Sequence, residues 1–219
     1  MKLSVAIDGP AGAGKSTIAQ LVAKEFDLMY INTGAMYRAV TLKAKENKIS
    51  PEDVSSLCEL IDTMEMHFEN DDLYLNGVNI QDKLTMPEIS ASVSAYASIQ
   101  EVRKKLVTMQ SEMSKKFNVI MDGRDIGTVV LKDSPYKIFL TATPEERAKR
   151  RFDELTNRGI DCSYEEILND IIRRDHIDST RAVDPLKKAS DAVEIDTTGL
   201  NIQEVTQNII DFIKSKKNN

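Results

Sequence analysis

The nine residues at positions 9–17 constrain the fold more than any other stretch of the chain. They are Gly9, Pro10, Ala11, Gly12, Ala13, Gly14, Lys15, Ser16 and Thr17, which match the pattern G-x-x-x-x-G-K-[ST] at every fixed position. An apolar run at residues 3–7 precedes them, and apolar residues follow at helical spacing over residues 18–26. Strand, glycine-rich loop and helix, in this order, form the setting in which the pattern binds the phosphates of a nucleoside triphosphate.

The residues of this loop explain its affinity for phosphate. Glycines allow backbone conformations that direct several N–H groups inward, and the N-terminus of the following helix favours anions. Lys15 would then reach the β- and γ-phosphates of ATP, and Ser16 would be a ligand of Mg²⁺. An ordinary glycine-rich turn is the alternative, which the full match in a strand–loop–helix setting disfavours.

Length, charge and cysteine content exclude several classes of protein. The 219 residues are enough for one domain, with or without inserts. The net charge of −6 argues against general nucleic-acid binding. No stretch is long enough to span a membrane, and Asp8 interrupts the first apolar run, so we expect no signal peptide. Cys58 and Cys162 are too few for a disulfide framework or a zinc site, and we expect reduced cysteines in the cytoplasm, with Cys58 in the core.

Strand and helix patterns alternate along most of the chain, which indicates an α/β fold with a parallel sheet covered on both faces. Its strands are predicted at residues 3–7, 28–31, 119–121, 136–140 and 192–195. Residues 66–69, 73–75 and 78–80, with the turn Asn76-Gly77, predict a small antiparallel three-stranded sheet as an insert. The predicted helix N-caps are Thr33, Ser50, Thr85, Thr143 and Ser163.

Polar groups follow several of the predicted strands, at the sheet edge where ligands bind in such folds. Residues 9–17, Thr33 with its following glycine, and residues 122–125 should therefore converge. Asp122 ends an apolar strand, where proteins with this loop place the acid that helps to hold Mg²⁺; capping of the next turn is the alternative. Arg124 beside Asp125 offers a planar fork that matches phosphate or carboxylate.

Basic residues are concentrated in one part of this acidic chain. They are Arg147, Lys149, Arg150, Arg151, Arg158, Arg173, Arg174 and Arg181. They lie on two predicted helices joined by a connection that contains glycine, an arrangement typical of a mobile lid. Such a lid would supply positive charge and exclude water during phosphoryl transfer. A solvated helical hairpin is the alternative.

Four motifs together resemble the bacterial cytidylate kinase family of nucleoside-monophosphate kinases. They are I-D-G-P-A-G-A-G-K-S at residues 7–16, T-G-A-M-Y-R at 33–38, D-G-R-D-I-G-T-V-V at 122–130 and R-A-V-D-P-L at 181–186. The insert at about residues 66–80 matches the one that this family carries in its monophosphate-binding region. The resemblance implies one kinase domain with the three-layer P-loop kinase fold, divided into a core (about 1–35, 117–147 and 182–219), a monophosphate-binding region (about 36–116) and a helical lid (about 148–181).

The resemblance also implies a role for each matching residue. CMP would be bound by Thr33, Arg38, Ser94, Arg103, Arg124 and Asp125, with Arg174 and Asp178 near the ribose. Arg38, Arg103 and Arg124 would grip its phosphate, and Ser94, Arg103 and Asp125 would read the cytosine edge or hold the groups that read it. Arg181 would bridge phosphates from the lid side, and Arg150 of the lid would serve the ATP side. The candidate catalytic residues are therefore Lys15, Asp122, Arg124 and Arg181.

The activity implied is ATP-dependent, Mg²⁺-requiring phosphorylation of CMP and dCMP to CDP and dCDP. We expect a cytoplasmic monomer whose partner is this small-molecule substrate, with no nucleic-acid or membrane partner. Two alternatives remain open. One is a kinase of the same class that acts on another acceptor, such as UMP or a small alcohol. The other is a non-catalytic nucleotide-binding switch, a class that usually carries an N-K-x-D element, which this sequence lacks.

Overall fold

The computed structural model of the protein describes residues 2–217. Five parallel strands form the central sheet in the order β2-β6-β1-β7-β8, and a separate antiparallel sheet has the order β3-β4-β5. The strands are β1 (Ser4–Asp8), β2 (Met29–Asn32), β3 (Met66–Glu69), β4 (Asp72–Leu75), β5 (Val78–Asn79), β6 (Val119–Gly123), β7 (Tyr136–Thr141) and β8 (Val193–Asp196). Both predicted sheets are thus confirmed.

Helices occupy most of the segments between the strands. They are α1 (Lys15–Phe26), α2 (Thr33–Glu46), α3 (Val54–Asp62), α4 (Gln81–Leu84), α5 (Pro87–Ala97), α6 (Gln100–Lys116), α7 (Pro144–Asn157), α8 (Tyr164–Thr180) and α9 (Ile202–Lys217). The short α4 and a π-helical turn at Ile126–Val130 have no counterpart among the sequence predictions. Within residues 2–217, none of the helices combines the length and apolar character that crossing a membrane requires.

The middle of the central sheet is buried on both faces, because successive residues of β1 alternate between two apolar clusters, whereas the edge strand β8 is largely exposed. Val5 and Ile7 of β1 pack with residues of α1 and α9. Ala6, between them, packs into the other cluster with residues of α2, α6 and the insert. Side chains of a strand point to opposite faces in turn, so a strand covered on both sides is apolar throughout. The result is the predicted three-layer arrangement of helices, sheet and helices.

The insert packs on the α2 side of the central sheet. Phe68, Leu73 and Leu75 are buried in the same apolar cluster as α2. Asn76 and Gly77 connect β4 and β5 with φ angles of 50° and 78°. Positive φ at both positions is the geometry that an Asn-Gly hairpin turn requires. The predicted hairpin is therefore confirmed.

Strand register brings three polar side chains to the carboxyl edge of the central sheet. Asp122 of β6 is in register with Ile7 of β1 and with Asn32 of β2. Asp8, the last residue of β1, is in register with Gly123. The phosphate loop begins directly after Asp8, so the predicted convergence at this edge is confirmed.

Two of the predicted helix caps are confirmed, and a third lies one residue away from its predicted position. The side chains of Thr143 and Ser163 accept hydrogen bonds from the N–H groups three residues on. The prediction of Thr33 as a cap is wrong, because Asn32 makes the equivalent bond for α2. The Thr33 hydroxyl instead donates to the backbone oxygen of Asp122 at 2.7 Å. Thr33 therefore ties the start of α2 to the end of β6.

The predicted caps at Ser50 and Thr85 are also wrong. Asp53 caps α3, because residues 50–53 form a turn before the helix begins. Met86 occupies the N-cap position of α5 without a side-chain bond. The Thr85 hydroxyl donates to the backbone oxygen of Asp82 at 3.1 Å, because the unpredicted α4 ends at this point.

Both cysteines are free thiols. Cys58 and Cys162 are each half-buried, so the prediction that Cys58 lies in the core is wrong. The core face of α3 is formed by its neighbours Leu57 and Ile61, which are fully buried.

Candidate active site

A single cleft of about 1290 Å³ at the carboxyl edge of the sheet contains most of the predicted site residues. Those that line it are Ala11, Gly12, Gly14, Lys15, Ser16, Thr17, Thr33, Arg38, Ser94, Arg103, Asp122, Arg124, Asp125, Arg150, Arg174, Asp178 and Arg181. Gly9, Pro10 and Ala13 also belong to the loop, but they are buried and do not line the cleft. Residues from widely separated parts of the chain thus face one space.

Two glycines allow the phosphate loop to pass close to the rest of the core. Gly9 has a φ of 148°, and a Cβ there would lie 2.0 Å from the backbone oxygen of Leu140 in β7. Gly12 has a φ of 77°, and its Cβ would lie 3.1 Å from that of Arg147 in α7. Glycine alone takes such conformations without strain and has no Cβ to collide. The loop therefore needs glycine at both positions for its shape.

Lys15 is held inside the loop. It is only 6% exposed, and its Nζ donates to the backbone oxygen of Pro10 at 2.6 Å. Burial, together with the positive charge of Arg124, lowers the pKa of Lys15 well below its ordinary value. A bound triphosphate would supply the negative charge that favours the protonated amine. The position of Lys15 therefore fits a polyanionic ligand.

Ser16 and Asp122 place two oxygen atoms that could be metal ligands beside the loop. The Ser16 hydroxyl donates to Asp122 Oδ2 at 3.0 Å, and the Tyr30 hydroxyl donates to Oδ1 at 2.8 Å. Over residues 2–217 no cluster of three histidine, cysteine or acidic side chains suits a metal ion. Mg²⁺ is usually held by one or two carboxylates with water and substrate phosphates, so this donor set fits Mg²⁺.

Three arginines lie close together opposite the loop. Burial, with the charges of Arg174 and Arg124, lowers the pKa of Arg38 to about 10. Burial and Arg124 also lower the pKa of Arg174. The Nε of Arg174 is buried and has no hydrogen-bond partner. Like charges crowded in a partly dry space are unfavourable without an anion, so this part of the cleft fits a phosphate group.

Asp178 anchors Arg124 in this cluster. The Arg124 Nε donates to Asp178 Oδ2 at 2.8 Å, and both side chains line the cleft. Burial opposes the charge of Asp178, but Arg124 outweighs it and lowers the pKa of this carboxyl group below its usual range. The ion pair holds the guanidinium through Nε, and Nη2 makes no hydrogen bond within residues 2–217.

A second ion-pair network joins α6 to the end of α8. Arg103, which is 1% exposed, donates through Nη2 to Asp125 Oδ2 and through Nη1 to the backbone oxygen of Ala97. Arg181 donates to the other oxygen of Asp125 at 3.4 Å. Ser94, 3% exposed, lines the cleft from α5. Two of the predicted acceptor residues, Arg103 and Arg181, thus share the carboxylate of a third, Asp125.

Two other arginines connect the predicted lid to its surroundings. Arg147 is buried; it donates to the backbone oxygen of Ala11 at 3.0 Å and to both carboxylate oxygens of Asp175. Arg150, which lines the cleft, donates to the backbone oxygen of Thr197 at 2.7 Å. Arg147 therefore supports the phosphate loop from behind, whereas the sequence analysis grouped it with the lid.

Sequence reasoning missed Asp8 and Tyr30. Asp8 is buried and accepts hydrogen bonds from the N–H groups of Ile126 at 2.8 Å and Gly127 at 2.7 Å. Burial raises the pKa of Asp8 to about 6. An acid that ends an apolar strand is the signal that identified Asp122, and it applies equally to Asp8. Tyr30 gives no such signal, because an aromatic residue in an apolar run indicates a buried ring and says nothing about a partner for its hydroxyl.

Comparison with known proteins gives the same fold and identifies the family. A solved structure of an uncharacterized protein from Eubacterium ventriosum superimposes with a TM-score of 0.52 over 98% of this chain and 99% of that one, at 15% identity, which shows the fold alone. A cytidylate kinase of Clostridium perfringens strain SM101 is 63% identical over 97% of this chain and 98% of its own length. That of Clostridium acetobutylicum is 60% identical over 99% and 100%. The family model for cytidylate kinase matches residues 5–215. The chain therefore belongs to the cytidylate kinase family.

Proposed function

We propose that the protein catalyses ATP + CMP ⇌ ADP + CDP and the corresponding reaction of dCMP. Membership of the cytidylate kinase family supports this activity. The observation that carries it is the cluster of arginines that faces the phosphate loop across one cleft. At about 1290 Å³ the cleft exceeds the roughly 300–1,000 Å³ of an ordinary ligand pocket, as a site for two nucleotides should.

The loop side of the cleft would bind ATP. The amides of residues 9–17 and Lys15 would bind its β- and γ-phosphates, and Arg150 would contact it from the lid. Ser16 and Asp122 would hold Mg²⁺, which when bound neutralises charge on the phosphate oxygens. The hydrogen bond between these two side chains supports this assignment, since it already directs both oxygens to one place.

The opposite side of the cleft would bind CMP. Arg38, Arg103 and Arg124 would grip its phosphate, with Arg181 bridging phosphates from the lid side. Ser94, Arg103 and Asp125 would read the cytosine edge or hold the groups that do, and Arg174 and Asp178 would lie near the ribose. Thr33 would also contact CMP in this half. The shared carboxylate of Asp125 and the unpartnered Nε of Arg174 support this placement.

Positioning and electrostatics would supply the catalysis. The acceptor phosphate of CMP is already anionic, so no general base is required. Lys15, Arg124 and Arg181 would stabilise charge on the transferring group in a site from which water is excluded. We infer that residues 148–181 close over the nucleotides as a lid, that about 36–116 form the monophosphate-binding region, and that the remaining segments form the core.

We infer that the protein acts as a monomer in the cytoplasm. Residues of both halves of the cleft belong to one chain, so a second copy is not needed to complete the site. Its substrates are free nucleotides, which cytoplasmic metabolism supplies. The net charge of −6 also disfavours nucleic acid as a partner.

A panel of acceptors tests this proposal. The purified protein is assayed with ATP and Mg²⁺ against CMP, dCMP, UMP, AMP and small alcohols, with ATP hydrolysis without acceptor as the control. We expect the highest kcat/KM with CMP and dCMP. Activity with AMP alone would contradict the proposal and indicate another acceptor. Slow turnover with every acceptor, despite tight nucleotide binding, would favour the nucleotide-binding switch.

A further inference from the structure

Asp184 has an unusual backbone conformation at the point where the chain leaves α8. Its φ of 48° lies in the left-handed region. Residues other than glycine adopt this region uncommonly, although aspartate and asparagine tolerate it better than most. Such a conformation persists where surrounding contacts hold it in place. The contacts of Asp184 therefore need an explanation.

Asp184 contacts two arginines of the acceptor half with two different groups. Its carboxylate Oδ2 accepts a hydrogen bond from Arg103 Nε at 3.1 Å. Its backbone oxygen accepts from Arg181 Nε at 2.7 Å and from Nη2 of the same guanidinium. Asp125 binds the same two arginines from the other side. The four residues thus form a closed ring that joins α6 to the segment after α8.

This ring determines which N–H groups of the two arginines remain for a ligand. A guanidinium has five N–H donors. Asp184, Asp125 and the backbone oxygen of Ala97 accept three of those of Arg103, which leaves two. The Nη1 of Arg181 makes no hydrogen bond within residues 2–217. Both side chains line the cleft, so the orientation of these free donors bears on ligand binding.

We propose that Asp184 is a positioning residue for the acceptor nucleotide, an inference that rests on the proposed function. Its carboxylate fixes the rotation of the Arg103 guanidinium about Nε, and its left-handed backbone places the carbonyl that fixes Arg181. With both held, their free donors stay directed into the acceptor half. Arg103 is almost fully buried, so this charge-assisted bond is shielded from water on the arginine side.

The charge of Asp184 would affect phosphate binding in the direction opposite to that of positioning. Its negative charge lies beside a site for a phosphate, so its removal would strengthen phosphate binding if charge were what mattered. Asparagine keeps an oxygen acceptor for Arg103 and tolerates the left-handed backbone, but lacks the charge. Glycine keeps the backbone and its carbonyl without strain, but lacks the acceptor. Asp184→Asn and Asp184→Gly therefore separate positioning from charge.

Steady-state kinetics of these two variants test the inference. CMP is varied at saturating ATP, and ATP at saturating CMP. We expect Asp184→Gly to raise KM for CMP about tenfold, the effect of one charge-assisted hydrogen bond, with kcat within about threefold and KM for ATP within about twofold. Asp184→Asn should keep KM for CMP within about threefold of the wild type.

Glu194→Ala is the matched control. It removes the carboxylate of an exposed ion pair with Lys188 at 2.7 Å, outside the cleft, and should change neither KM. An unchanged KM for CMP in Asp184→Gly, or a lower KM in both Asp184 variants, would overturn the inference. So would equal increases in KM in both variants.

The wild-type enzyme keeps this test separate from that of the proposed function. If the wild type prefers another acceptor, the proposed function fails, and KM for that acceptor then takes the place of KM for CMP in the comparison. Thermal unfolding of each variant shows whether it is folded. If Asp184→Gly does not fold, Asp184→Ser, which keeps a short acceptor, is compared with Asp184→Ala instead, and equal KM values for CMP in that pair would overturn the inference.

Discussion

The two halves of the cleft are built from different parts of the chain. The half that we propose binds ATP, the donor half, consists largely of one loop, residues 9–17, whose backbone amides and single lysine come from consecutive positions. The half that we propose binds CMP, the acceptor half, consists of side chains from α2, α5, α6, α8 and the segment after β6. Local geometry therefore maintains the donor half, whereas the acceptor half depends on how distant elements pack.

Their electrostatics differ in the same way. In the donor half, the single lysine, Lys15, is buried; burial and the charge of Arg124 lower its pKa, and the carbonyl of Pro10 accepts its hydrogen bond. In the acceptor half, Arg38 and Arg174 have lowered pKa values because they are buried near other cations. Both halves thus hold cations at a cost before a ligand binds, but the acceptor half crowds several of them together, and the buried Nε of Arg174 has no hydrogen-bond partner. A change in the donor half should affect one nucleotide, while a change in the acceptor half should affect binding and turnover together.

Lys15→Ala should have the largest effect on turnover and should leave CMP binding in the acceptor half nearly unchanged. We expect kcat to fall by about 10³-fold, because a preorganised cation next to the transferring phosphate is lost. CMP binding, measured by calorimetry, should stay within about twofold. Lys24→Ala, on an exposed position of the same helix, is the control. Loss of the fold in Lys15→Ala, seen in thermal unfolding, would contradict the functional role of this lysine.

Arg181→Ala should have the next largest effect and should connect binding with turnover. We expect kcat to fall about 100-fold and KM for CMP to rise, because Arg181 faces the cleft and also binds Asp125 and Asp184. Steady-state kinetics with CMP measure both constants. Arg158→Ala is the control, because Arg158 is exposed at the end of α7 and its Nη1 lies 3.8 Å from Glu154 Oε1. Near-normal turnover in Arg181→Ala would remove this arginine from the site.

The difference between the halves also explains how much the sequence could predict. The loop and its flanking strand and helix are encoded by consecutive residues, so their positions follow from pattern alone. The α/β layering follows from alternating strand and helix signals, and the insert from its Asn76-Gly77 turn. Four acceptor residues are named only through a family resemblance, namely Arg38, Ser94, Arg103 and Asp178. No local pattern relates Arg38 on α2 to Arg174 on α8.

The wrong cap prediction at Thr33 and the residues that sequence reasoning missed share one cause, which is contact between distant parts of the chain. Thr33 is a good cap by composition, but its hydroxyl is taken by the backbone of Asp122. Tyr30 and Asp184 act through partners about 90 and 80 residues away along the chain. Sequence distance conceals such bonds, since only the register of β2 and β6 and the end of α8 bring the partners together. Local reasoning therefore fails where long-range hydrogen bonds decide.

Tyr30→Phe should have a moderate effect, a loss of Mg²⁺ affinity in the donor half. It removes the hydroxyl that donates to Asp122 Oδ1 at 2.8 Å, and the orientation of this carboxylate loosens. We expect Mg²⁺ affinity to fall about tenfold, measured by calorimetry with a non-hydrolysable ATP analogue, with little change in CMP binding. Tyr74→Phe, whose ring stacks on His67 in the insert, is the control. Unchanged Mg²⁺ affinity would show that Asp122 needs no support from Tyr30.

Asp8 physically links the two halves, and its variant should have the smallest effect. Asp8 ends β1 immediately before the phosphate loop, and it binds the N–H groups that follow Asp125 in the acceptor half. Burial raises its pKa from 3.8 to about 6 in the folded protein. The folded state therefore holds the proton more tightly than the unfolded state, and this group's contribution to stability falls as pH rises through this range.

Asp8→Asn removes this titration while keeping the size of the side chain. Between pH 5 and pH 8, ionisation of Asp8 should cost the wild type about 1 kcal/mol of stability that the variant does not lose. Urea unfolding at both values measures the difference in free energy of unfolding, wild type minus variant, which should be smaller at pH 8. Asp53→Asn, at an exposed helix cap, is the control. A difference that grows with pH would show instead that the two amide bonds outweigh burial, and that the link between the halves is strongest when Asp8 is charged.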